Sequence, residues 1–159
     1  MHSMSRFTMQ TLIVIACLLC AVQSWARDMG EEIRNAPIEQ QLAFLNAPNS
    51  SWTRLDPLVV ARFKSLLDQL TQKYFEDRAL IANWTVKIQG ALEHYGINET
   101  PLNMMEGING LSGGSGSKSY KDSLTAYATL RNKGKSHKEA LAALPAYIKH
   151  LQANGTIKQ

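Results

Sequence analysis

One stripe limits what this chain can fold into more than any other feature. After Asp56 and Pro57 come Val59, Phe63, Leu66, Leu70 and Tyr74, at spacings of four, three, four and four. An α-helix turns once every ~3.6 residues, so these side chains share one face, whereas a strand would scatter them over two. Arg62, Lys64, Asp68 and Lys73 fall off the stripe. The pattern predicts an amphipathic helix of about five turns. Asp56 supplies an N-cap carboxylate, and Pro57 occupies a first position whose N–H has no partner to lose.

The same period recurs along the chain. Ile81, Trp84, Ile88, Ala91 and Tyr95 form a second stripe, closed by Gly96 as a left-handed cap. No Gly or Pro separates Leu58 from Gln89, which permits one long bent helix. Lys73 and Asp77 interrupt the pattern, which favours two helices parted near "FEDR". Upstream, Pro37 followed by Ile38, Leu42 and Leu45 reads as a short helix, or two split near the proline. Thr100-Pro101 opens another, "PLNMMEGI". Tyr120, Leu124, Tyr127 and Leu130 share a face that Gly134 ends. Ser136 and Glu139 form a capping box, and Leu141, Leu144, Ile148 and Leu151 follow, with Pro145 placed to kink them. No run alternates with period two. The expectation is an all-α fold: a small helical bundle of about five to six helices ending in a basic αα-hairpin over residues 120–155.

The first 26 residues read as an address. Arg6 precedes the uncharged run "TLIVIACLLCAV", and "SWA" places small residues where signal peptidase cuts, before Arg27. Such a run is short for a membrane span, which needs roughly 20 residues. A second reading takes "VIAC" as a lipobox with Cys17 lipidated, although apolar sequence continues beyond that cysteine. Removing the leader removes both cysteines, and with them disulfides and thiolate chemistry. The remaining 133 or so residues make one ordinary domain. Four Asn-x-Ser/Thr sites, at Asn49, Asn83, Asn98 and Asn154, would be glycan acceptors in a eukaryotic secretory protein. The lack of cysteine argues instead for a periplasmic or secreted bacterial protein, in which the sites are accidental.

Residues 112–119 lie in "NGLSGGSGSKSYKD". A P-loop reading fails, because Lys118 stands one place late and no strand precedes it. "GLSGG" matches G-x-S-x-G around Ser112, but that motif lifts its serine on a strand-to-helix turn above a parallel sheet. Gly and Ser with nothing to bury read as a flexible linker between an acidic region, 27–111, and the basic hairpin. The charge supports that division. Residues 27–106 hold 8 basic and 11 acidic residues, and residues 107–159 hold 8 basic and 2 acidic. Either the halves attract each other or the hairpin meets something anionic.

The candidate binding residues follow. Arg131, Lys133, Lys135, His137 and Lys138 crowd around one turn at a helix N-terminus, where backbone donors and the helix dipole favour an anion. Trp52 sits in a polar loop with no stripe to join, a candidate interface anchor. Export argues against DNA or nucleotide as target. His94, His137 and His150 show no metal-ligand spacing, so no metal or cofactor is expected. The leading expectation is a non-catalytic exported factor that binds another protein, in the manner of a periplasmic adaptor, inhibitor or immunity-type protein. The alternatives are a binder of anionic surfaces or polymers through the hairpin, and a small cell-wall hydrolase using Glu106 as general acid.

Overall fold

The computed structural model describes residues 31–47, 54–111 and 116–157. The proposed leader, Trp52 and Ser112 lie outside the described residues. Within them the chain forms helices α1 (Glu31–Arg34), α2 (Ile38–Asn46), α3 (Pro57–Tyr74), α4 (Arg78–His94), α5 (Pro101–Asn109), α6 (Tyr120–Asn132) and α7 (His137–Ala153), and no strand. The fold is all-α.

The caps anticipated from sequence set the helix starts. Asp56 Oδ1 accepts from Leu58 N at 2.8 Å, with Pro57 in the first turn. Thr100 accepts from Asn103 N ahead of Pro101, and Ser136 with Glu139 closes a reciprocal capping box on α7. The Ser136 hydroxyl and backbone N–H hold the Glu139 carboxyl below the ordinary glutamate range. α7 continues through Pro145, which lies on its exposed side.

Between α3 and α4 the chain breaks at Phe75, in the left-handed region at φ 55° and 95% exposed. Asp77 then caps α4 through Ala79 N at 2.7 Å. Two helices, not one, occupy this stretch. Lys73, which interrupts the apolar stripe, is half-buried. Its ammonium donates to the carbonyls of Ile108 and Asn109 at 3.1 and 2.9 Å, tying the end of α3 to the last turn of α5. Burial holds this lysine below its usual range.

α4 packs against α3 and α6, α6 also against α7, while α5 lies against α3 and α4. The first stripe is buried as anticipated at Phe63, Leu66, Leu70 and Tyr74, joined by Leu67. The second is rotated from its expected position. Ile81, Thr85, Ile88 and Leu92 face inward, Trp84 and Ala91 sit at the margin, and Tyr95 is 42% exposed. Thr85 was invisible to a count of apolar residues because it enters the core through two bonds. Its hydroxyl donates to Ile81 O and meets Tyr120 OH, each at 2.9 Å. Tyr120 is fully buried and stacks edge-on against Tyr74 at 5.4 Å.

Of the expected linker, residues 116–119 lie on the bundle. Gly116 O accepts from Gln152 Nε2 at 2.9 Å, and Glu76 Oε1 accepts from Tyr120 N at 3.0 Å. Residues 112–115 lie outside the described residues.

Candidate functional site

Gly96, at φ 73°, turns the chain out of α4, and Thr100 with Pro101 starts α5. The extended residues between them carry Glu99, whose side chain is only 4% exposed. Such a carboxylate survives burial only if it is paired and hydrogen-bonded. Four side chains do this, three of them from the hairpin.

Tyr127 and Arg131 stand one turn apart on α6, and His137 is the first residue of α7. The Tyr127 hydroxyl donates to Glu99 Oε2 at 2.8 Å. Arg131 Nη1 donates to the same oxygen and to the Tyr127 hydroxyl oxygen, at 3.0 Å for the latter. His137 Nδ1 lies 2.8 Å from the Tyr127 oxygen and 3.2 Å from Glu99 Oε2. With the phenolic proton directed to Glu99, Nδ1 is the nitrogen that carries hydrogen. The other carboxylate oxygen, Oε1, accepts from Asn103 Nδ2 at 3.2 Å, one turn into α5.

Burial alone would raise the Glu99 pKa. The bonds from Tyr127 and Asn103, with the charges facing it from His137 and Arg131, outweigh burial and hold the carboxyl below its ordinary range. Tyr127 moves upward, first from burial and then because its proton is bound to a carboxylate. Glu99 is therefore an anion at neutral pH and Tyr127 a neutral donor. The cluster is a charge network in which both carboxylate oxygens of Glu99 have partners. α7 can approach because Gly107 faces it. A Cβ there would fall 2.6 Å from Leu141 Cδ1 and 3.2 Å from His137 Cε1.

The sequence-derived residues at the hairpin tip divide into two sets. Arg131 and His137 turn inward onto Glu99. Lys133, Lys135 and Lys138 are exposed, and Lys133 Nζ lies 5.0 Å from the centroid of the Tyr147 ring. Trp52 falls outside the described residues. Glu106, the candidate acid, is half-buried at 36% side-chain exposure and ion-paired with Arg62 at 2.6 Å. His94 stacks edge-on with Tyr95, and His150 Nε2 accepts from Asn154 Nδ2 at 3.0 Å. Among the described residues no three His, Cys, Asp or Glu side chains group as metal ligands, and no helix is long and apolar enough to cross a membrane. Glu99 itself escapes sequence reasoning, because it sits off every stripe in a short connection. The signal that was present is Tyr127 and Arg131 at i and i+4, an aromatic on a buried face with a cation directly in line.

No curated protein and no solved structure matches the chain. The family model MoxZ matches residues 42–147, which span α3 to α6 whole together with most of α2 and α7. The matched span holds the buried carboxylate and its four partners, and on this match the chain belongs to the MoxZ family.

Proposed function

We propose that this chain is an exported, non-catalytic accessory factor that binds another protein through the tip of its α6–α7 hairpin. Membership of the MoxZ family is compatible with an accessory role, and the matched span covers the whole α6–α7 turn. The leader-like N-terminus supports work outside the cytoplasm.

The observation that carries the reading is the division of labour at the tip. Arg131 and His137 are engaged by Glu99, so the turn between α6 and α7 is anchored to the bundle on two sides. Lys133 and Lys135 then stand on the turn so anchored, and Lys138 in the first turn of α7. Their presentation is preorganised, and binding gives up less side-chain and loop freedom. Clustered cations of this kind complement an acidic protein face and speed encounter with it.

Affinity capture from the exported fraction of the source cell tests this. The wild-type chain should retain a partner at low salt and lose it near ~0.3 M, where screening shortens to a few ångströms. The Lys135→Glu/Lys138→Glu chain should lose the salt-sensitive partner that the tip holds. Equal retention by both chains would refute the tip as the binding surface. Binding to anionic vesicles with no protein retained would instead support the polyanion reading.

A further inference from the structure

The rotation of α4 leaves a face that the core covers only in part. Leu80, Trp84, Lys87 and Tyr95 recur along it at helical spacing, beside Lys121 and Ala128 of the adjoining α6. Leu80 and Tyr95 are 43% and 42% exposed, an apolar residue near each end of the face. Between them Trp84 lies half-buried with a cation from each helix beside its ring. Lys87 Nζ is 4.8 Å and Lys121 Nζ 4.9 Å from its centroid.

The charge on this face is one-sided. α4 and α6 each contain a single acid, Glu93 and Asp122, and the helical period sets both off the face. Glu93 is occupied elsewhere, accepting from Gln89 at 3.1 Å. Among the described residues neither ammonium is ion-paired, and both lie beside the Trp84 ring; the carboxylate of Glu76 comes near the start of α6 but accepts from Tyr120 N. The strip from Leu80 to Tyr95 spans about 22 Å, the length of a four-turn helix. A strip with exposed apolar side chains near its ends and two cations beside a tryptophan between them complements an amphipathic helix that carries carboxylates.

We propose that the α4–α6 face docks an acidic amphipathic helix of a partner protein, with apolar side chains on Leu80, Trp84 and Tyr95 and carboxylates on Lys87 and Lys121. The face is independent of the hairpin tip. Lys121 stands at the start of α6 and Lys133 beyond its end, about 18 Å apart along the axis.

The test uses the full chain and a labelled helical peptide of about 16 residues, with leucines on one face and glutamates flanking them. Controls are a scrambled peptide of the same composition and one with every glutamate replaced by lysine. Fluorescence anisotropy should show the acidic helix binding at least about tenfold more tightly than either control. Lys87→Glu/Lys121→Glu should remove that preference, whereas Lys135→Glu/Lys138→Glu should leave it intact. Circular dichroism and melting temperature confirm that both variants are folded. Equal binding of the acidic and scrambled peptides, or binding unchanged by Lys87→Glu/Lys121→Glu, overturns the proposal. So does sedimentation showing a second copy of the chain held by these lysines. The Lys135→Glu/Lys138→Glu arm separates failure here from failure of the tip reading.

Discussion

Replacing Glu99 by glutamine alters one charge and almost no volume, which makes it the sharpest perturbation of the buried network. Glutamine keeps an oxygen for Asn103, Tyr127 or Arg131, but Arg131, 13% exposed, loses the anion that faces it. Breaking a buried ion pair from one side costs about 3–5 kcal/mol. The arginine keeps some contact with water and with the Tyr127 oxygen, so the lower end applies, about 3 kcal/mol. A domain of this size is stable by roughly 5–15 kcal/mol, so about a fifth to three fifths of the total would go. At about 3 °C per kcal/mol, the melting temperature should fall by about 10 °C. Urea unfolding and a thermal melt, each followed by circular dichroism, read the two quantities. Glu106→Gln is the internal standard, since it breaks the exposed pair with Arg62 and should cost at most about 0.5 kcal/mol. A double-mutant cycle of Glu99→Gln with Arg131→Met should return a coupling well above about 1 kcal/mol. If Glu99→Gln and Glu106→Gln are equally mild, or the cycle shows no coupling, the claim that this network holds the hairpin is refuted.

Other outcomes follow from the same structure. The Glu99 carboxyl is lowered on folding, so its contribution is present above the unfolded carboxylate pKa and is lost as pH falls through the folded value. Stability of the wild-type chain should therefore drop on acidification more steeply than that of Glu99→Gln, in urea titrations between about pH 6 and 3. Phe75→Asn should stabilise by about 0.5–1 kcal/mol, because asparagine tolerates the left-handed backbone better and the ring, 95% exposed, buries almost nothing. Thr85→Ala should cost about 2–3 kcal/mol, against about 1 for Tyr120→Phe, in the same urea assay. The first strands a fully buried phenolic hydroxyl, whereas the second removes it and leaves Thr85 bonded to Ile81 O.

What could be read from the chain beforehand was whatever repeats or punctuates. Apolar periodicity located α3, α6 and α7. Asp56, Thr100 and Ser136 marked helix starts through local bonds that need no tertiary partner. The face of α4 was misjudged by about a sixth of a turn, because Trp84 and Tyr95 outweigh Thr85 and Leu92 when hydrophobicity alone is counted. Only the partner helix reveals that Tyr120 lends the threonine a bond. The tip lysines were legible as a cluster, but their separation from Arg131 and His137 was not. That depends on Glu99, which lies 32 residues before Arg131 and announces itself by no pattern.

The network around Glu99 also acts as an index mark between α4 and α6. Apolar surfaces tolerate sliding, since a leucine is satisfied beside many neighbours. If α6 slipped by one turn, Tyr127 would stand where Arg131 does and Ser123 where Tyr127 does. The apolar stripe would still meet α4, but an anion would be enclosed with no cation to answer it. Greasy contacts alone leave neighbouring alignments nearly degenerate, and a lone enclosed charge separates them. The surface the hairpin offers to the outside, three lysines at its tip, is thereby delivered at a single height along the molecule.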